Sequence, residues 1–318
     1  MREFSFELSL CAALEREGGA VVSRQLGTGV AGRRVLDTVL VEPGPRFEER
    51  AAITPGTIPP AAIESDAGPG RARRRAEAFD CRPDRARAVV DRAVDVGFFE
   101  RERRDGHAYV RQAARYPAAW FDRLVGVENK PDLDRPGALA TQLLTDVHLA
   151  VLDEVVLATA SHVTGAHLNR IPEAVGVWEF DPETAEREVV REPRRLPTEG
   201  YGVEILDREP ARTEIEVVTP EEKARLRRRV AERAYGKGWR TYDIPACARV
   251  DPGTDGLPHC PWKGRVVRPA TDCGPACDGH DPADPPSLDC EGLRAQRTPW
   301  VSDPEGRQRR QSGLDRYS

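Results

Sequence analysis

The run Leu124-Val125-Gly126-Val127-Glu128-Asn129-Lys130 constrains this chain most. Apolar or small residues lead straight into an acid, a spacer and a base, the pattern of a short buried strand whose end turns charged. Strand side chains alternate between faces, so Glu128 and Lys130 point one way and Asn129 the other. That places a carboxylate and an ammonium side by side, which suits a metal site with a nearby cation. A surface salt pair at a strand end is the plain alternative. Lysine is scarce in this chain (Lys130, Lys223, Lys237 and Lys263), while arginine is abundant. Acid excess with few lysines, at a net charge of −5, is the composition of a salt-adapted, halophilic protein. A lysine here stands out for that reason.

A second run, Arg34-Val35-Leu36-Asp37-Thr38-Val39-Leu40-Val41, is β-rich throughout and is ended by Pro43-Gly44-Pro45. Asp37 is the only charge in its middle. Desolvating a lone carboxylate is costly, so Asp37 lies at a wet rim or has a cation, either an arginine or a metal. Upstream, Phe4 to Glu17 reads as a helix with Phe4, Leu8, Cys11 and Ala12 or Leu14 on one face, stopped by Gly18-Gly19. Glu7 borders that face, either in solvent or aimed inward. The glycine-rich loop through Gly27, Gly29 and Gly32 fits no phosphate-binding fingerprint.

Downstream of Lys130, residues 138–151 form a helix with Leu139, Leu143 and Val147 inward and Gln142 beside that stripe. Val155 to Ala160 is a continuous apolar strand of the kind found mid-sheet, and Val175 to Phe180 is another strand. Strand, strand, helix, strand argues for an α/β sheet flanked by helices.

Residues 71–115 differ in composition: thirteen arginines against eight acids, a net of +5. Pro83 to Val96 is an amphipathic helix. Phe98–Arg104 and His107–Gln112 flank Asp105-Gly106, a strong hairpin signal. Helices followed by a charged hairpin make a winged-helix-like module, able to meet DNA phosphates through arginine. A protein-binding or spacer module is the alternative.

With these residues in place, the chain resembles the PD-(D/E)xK, or restriction-endonuclease-like, nuclease superfamily and its haloarchaeal members, over residues 1–180. The resemblance implies a mixed sheet flanked by helices, interrupted by the winged-helix-like insertion. It makes Asp37 the strand acid, Glu128-Asn129-Lys130 the Glu-x-Lys motif, Glu7 a first-helix glutamate and Gln142 the helix glutamine. One departure is large: some ninety residues separate Asp37 from Glu128, where the superfamily has ten to thirty. Asp122 is the rival strand acid. Six residues before Glu128 on one extended strand, it lies ~20 Å away, too far to share a metal with it.

The resemblance implies Mg²⁺- or Mn²⁺-dependent hydrolysis of DNA, with Asp37 and Glu128 as metal ligands and Lys130 at the reacting phosphate. A non-catalytic winged-helix DNA-binding or regulatory protein on a degenerate nuclease scaffold is the other reading.

Residues 220–235 form a basic helix carrying Arg225, Arg227, Arg228, Arg229 and Arg233. It is either a solvated face or a phosphate contact. Beyond it lie Cys247, Cys260, Cys273, Cys277 and Cys290, spaced C-x12-C-x12-C-x3-C-x12-C. Clustered thiols in a cytoplasmic chain favour a metal over disulfides: zinc, with an iron–sulfur cluster as the alternative and His259 or His280 as substitute ligands. The expected organisation is a nuclease-like core over 1–58 and 118–219, an insertion over 59–117, the basic helix and cysteine-rich region over 220–301, and a disordered tail over 302–318. No apolar run reaches ~18 residues, so no membrane span is expected. The start is not that of a signal peptide, so the expected location is cytoplasmic. DNA is the expected partner, and a homodimer remains open.

Overall fold

The computed structural model describes residues 2–27, 34–134, 138–209 and 211–305. The chain divides into two compact units, one of residues 1–43 with 121–299 and the other of 44–120 with 300–318. The insertion therefore begins where Pro43 ends a strand, earlier than the composition shift at residue 59 suggests. The cysteine-rich region belongs to the first unit and is not a separate appendage.

The first unit is built on a mixed six-stranded sheet. Its strands are β1 (Val21–Gly27), β2 (Val35–Pro43), β3 (Phe121–Asn129), β4 (Glu154–Thr159), β5 (Gly176–Asp181) and β6 (Glu186–Arg191), lying side by side in that order. The β1–β2, β2–β3 and β5–β6 pairs are antiparallel, whereas β3–β4 and β4–β5 are parallel. A parallel pair needs a crossover, and helix α2 (Leu139–Leu149) supplies it between β3 and β4. Val155 to Ala158 are buried at the middle of the sheet, as their unbroken apolarity requires. Residues 186–191 pair with β5 as the sheet's last strand.

Helix α1 (Glu3–Glu17) departs from the single apolar stripe read in its sequence. Every residue from Ser5 to Glu15 is buried. One side packs on Val125, Val127, Val156, Ala158 and Phe180 of the sheet, and Trp239, Tyr242, Leu257 and Val266 of the C-terminal region complete the same core. Burial on all sides forces α1's inner acids to find cations. Glu15 takes Arg240 at 2.9 Å and Glu7 takes Arg24 at 3.0 Å. The basic helix α3 (Pro220–Lys237) starts with a Thr219/Glu222 capping box and packs along β1. Of its arginines, Arg227 is spent on Asp153 and the Val151 carbonyl. Arg225, Arg233 and Lys237 stay exposed.

The second unit carries a three-stranded antiparallel sheet in which His107–Gln112 lies between Arg73–Arg74 and Phe99–Arg104. Helix Pro83–Asp95 buries Ala86, Val90 and Ala93 against a core that includes Phe98, Phe99 and Val110. Asp105 and Gly106 both adopt positive φ at the hairpin tip, which Gly tolerates freely and Asp more readily than most residues. The parts of the glycine-rich loop at Gly29 and Gly32, and residues 306–318 of the expected tail, lie outside the described residues.

Candidate functional site

Asp37 and Glu128 sit on neighbouring strands. Thr38 pairs with Val127 in the β2–β3 ladder, so one step along Asp37 falls opposite Glu128. Directly opposed residues of an antiparallel pair share a face, with Cβ atoms about 4.5–5.5 Å apart. The ninety-residue separation is thus closed by the sheet, and the second unit is the excursion between the two strands. Asp122 begins the same strand as Glu128, six residues away, and is exposed.

On the other side of β2, Arg24 pairs with Thr38 and Leu26 with Leu36, which places Gln25 beside Asp37. Gln25 has a φ of 51°, a left-handed twist within a strand. Its amide nitrogen reaches Glu7 Oε1 at 2.9 Å and Asp37 Oδ1 at 3.4 Å. Asp37 Oδ2 accepts the Asn129 backbone N–H at 3.0 Å. Burial first, then the charge of Glu128, pushes the Asp37 carboxyl up to about 7 against the help of that N–H; Glu7 pushes the same way and Arg34 opposes.

Arg34 is the cation nearest this row. Its Nη2 donates to Glu128 Oε2 and to Asp146 Oδ2, each at 2.7 Å, and its Nε donates to Asp146 Oδ1 at 3.2 Å. Burial raises the Glu128 and Asp146 carboxyls, and Arg34 lowers both. Asp146 lies one turn beyond Gln142 on α2, so the two share a helix face. Gln142 is half-buried. Lys130 follows Glu128 by two residues, and its N–H donates to the Ala158 carbonyl at 2.9 Å. Its ammonium has no hydrogen-bond or ion-pair partner among the described residues.

Glu7, Asp37, Glu128 and Lys130 therefore come to one end of the β1–β2–β3 rows, with Gln142 on the helix that follows. Sequence reasoning missed Gln25, Arg34 and Asp146. Asp146 carried a usable signal, being the only acid in residues 139–151 of an otherwise apolar helix. Gln25 carried none, because its role depends on a local backbone twist.

The cysteines are all free thiols. Cys247 and Cys260 are buried, and Cys247 Sγ accepts the Asp281 N–H at 3.5 Å. Burial first, then Cys260, Asp272, Cys247 and Cys277, raises the Cys273 thiol, so these four cysteines are electrostatic neighbours. Cys290, expected among them, instead feels Arg240, Asp289 and Glu15 at the start of the helix Cys290–Arg297. Among the described residues, no three His, Cys, Asp or Glu side chains converge closely enough to form a ready-made metal cage, at the carboxylates or at the thiols.

Fold and site define a mixed α/β protein with a buried carboxylate row at the end of an antiparallel strand pair. The chain belongs to a family described as a family of unknown function, DUF5787, whose profile matches residues 21–282. That match takes in Asp37, Glu128, Lys130, Gln142 and four of the clustered cysteines, but not Glu7. No curated protein and no solved structure matches the chain. No helix among the described residues is long and apolar enough to cross a membrane.

Proposed function

We propose that this chain is a divalent-metal-dependent nuclease of the PD-(D/E)xK type that hydrolyses phosphodiester bonds in DNA. The observation that carries the reading is Asp37 opposite Glu128 on adjacent strands, with Lys130 two residues further along and unpaired among the described residues. Mg²⁺ needs only one or two protein carboxylates, filling its other positions with water and substrate oxygens, so the pair fits it without a three-ligand cage. When bound, the metal would acidify a water and offset charge on the reacting phosphate. Asp37 and Glu128 would hold it. Lys130, on the same face as Glu128, would supply a mobile positive charge to the phosphate or the attacking water. Asp146 would keep Glu128 oriented through Arg34, and Gln142, one turn from Asp146, would position water.

The second unit supports DNA as the substrate. Its elements run helix, helix, strand, helix, helix and hairpin, with the last strand in the middle of the sheet; from the short helix Pro60–Ile63 onward this matches the order of a winged helix. Arg85, Arg87 and Arg92 are exposed on the helix Pro83–Asp95, as are Arg103 and Arg104 on the hairpin. These suit phosphate contacts. We also propose structural zinc at Cys247, Cys260, Cys273 and Cys277, which requires the four thiols to draw closer than they stand here.

One observation favours the second reading, a DNA-binding protein on a degenerate scaffold. Arg34 already neutralises Glu128. The deciding experiment offers linear, branched and flapped DNA to the full chain with Mg²⁺ in molar KCl. Lys130→Met should lower the cleavage rate by about 10²–10³-fold while leaving DNA affinity intact. Cleavage by that variant at the normal rate would remove Lys130 from the site. A wild type that binds all three substrates and cuts none would favour the second reading.

A further inference from the structure

A cavity of about 580 Å³ opens between the start of α1 and the C-terminal region, lined by Phe4, Arg24, Tyr242, Asp243, Arg268 and His280, among others. Its size falls within the ~300–1,000 Å³ of sites that enclose small organic groups. A second hollow of about 200 Å³ shares Phe4 and Arg268 with it. The two hollows adjoin at these shared side chains, which make a trough of the pair.

The charges in this trough are unevenly balanced. Arg24 and Arg268 both lie over the Phe4 ring, 5.2 and 5.6 Å from its centre. Arg24 is neutralised by Glu7 and also donates to Thr241 Oγ1 at 3.1 Å. Arg2 and Arg265 at the far end are taken up by Asp272. Arg268 is exposed, and its guanidinium has no hydrogen bond or carboxylate among the described residues, only the ring beneath it. The exposed Asp243 at the rim does not pair with it. Two guanidiniums drawn to one ring repel each other, and an anion between them removes that cost. The Tyr242 ring, edge-on to Phe4 at 6.4 Å and held by its hydroxyl's bond to the Gly256 carbonyl at 2.7 Å, lines the same cavity.

The trough also leads to the carboxylate row. Arg24 bonds Glu7 at 3.0 Å, Glu7 bonds Gln25 at 2.9 Å, and Gln25 reaches Asp37 at 3.4 Å. The charge of Glu3, which lines the second hollow, acts on Glu128.

We infer that this trough seats an unpaired nucleotide of the DNA strand next to the cleaved bond, its phosphate on Arg268 and its base against Tyr242. Aromatic stacking and an arginine on the backbone are the two interactions by which proteins hold single strands without reading sequence. The identity of the strand rests on the nuclease reading; the anion-and-base chemistry of the trough does not.

The test measures binding of a fluorescein-labelled single-stranded decamer to the full chain in EDTA, across a range of KCl, with no cleavage involved. Arg268→Ala should weaken binding about tenfold and lower the slope of log affinity against log salt by about 0.7, the share of one phosphate on a single strand. Arg268→Lys should restore the slope, since a lysine replaces the charge. Arg268 is exposed and paired with no carboxylate, so the melting temperature should not move. Unchanged affinity and slope in Arg268→Ala would overturn the inference, as would displacement of the decamer by low-millimolar inorganic phosphate alone, which would mark a bare anion site. If no DNA is cut but Arg268 still governs decamer binding, the nuclease reading falls and the trough stands. If DNA is cut and Arg268→Ala both binds the decamer and cleaves like the wild type, the trough falls and the nuclease reading stands.

Discussion

Replacing Asp37 by asparagine removes one charge from a crowded buried row while keeping the shape of the side chain. The amide oxygen can still accept the Asn129 N–H. In the folded chain the Asp37 carboxyl titrates at about 7, against 3.8 for a free aspartate. A carboxyl raised on folding stabilises the protein below its unfolded value, and that stability is lost as the pH climbs through the folded value. The wild type should therefore weaken between about pH 4 and pH 7 as Asp37 ionises opposite Glu128. The gap from 3.8 to about 7, at about 1.36 kcal/mol per pH unit, sets a ceiling near 4 kcal/mol. Asp37 is partly exposed, and protonation of Glu128 relieves the same repulsion, so about 1–2 kcal/mol is the expected effect. Thermal denaturation in EDTA and molar KCl should show Asp37→Asn level with the wild type near pH 4. Near pH 8 it should be more stable, by about 2–8 °C at ~2–4 °C per kcal/mol. Millimolar Mg²⁺ should stabilise the wild type at pH 8 and leave the variant unmoved. A variant that is less stable at both pH values, or whose advantage does not grow with pH, would refute the picture of a strained carboxylate pair.

Arg34→Met strands Glu128 and Asp146 without their shared cation and should cost about 3–5 kcal/mol, read as a lower denaturant midpoint and worse as the pH rises. A loss under 1 kcal/mol would mean that the bridge is not formed in solution. Asp146→Asn should lower DNA cleavage through the freed Arg34 without abolishing metal binding, which calorimetric Mg²⁺ titration separates from rate. Metal analysis of purified chain should give about one zinc, released together when Cys260→Ser opens the site, whereas Cys290→Ser should retain it; rapid reaction of all the C-terminal thiols in the native state would argue against zinc. Arg87→Glu, on the exposed face of the helix Pro83–Asp95, should weaken duplex binding and flatten its salt dependence, and equal binding at every salt concentration would take DNA away from the second unit.

Much of the sheet was legible because its strands announce themselves by unbroken apolarity, and Asp37 was conspicuous because a lone charge in such a run needs a reason. The Asp37–Glu128 pairing was legible as chemistry but not as register, which depends on strand order across a large excursion of the chain. Which arginines serve these acids was not legible. Arg24 and Arg34 look like any of this chain's many arginines, and only tertiary packing hands them Glu7, Glu128 and Asp146. Burial of α1 on all sides was hidden for a related reason: its second neighbour is the polar C-terminal region, whose sequence gives little sign of contributing a core. Once the partners are known, charge accounting sharpens the case for a cation. Glu7, Asp37, Glu128 and Asp146 bring four negative charges when ionised, and Arg24 and Arg34 return two positive ones. The remainder, two negative charges, is what one divalent ion neutralises. Without such an ion, the row relieves part of the excess by holding a proton on Asp37 near neutral pH. Lys130 then stands outside the balance. On the proposed nuclease reading, with a dication in place, its positive charge would be surplus to the protein's own carboxylates and would complement the phosphate of an incoming strand.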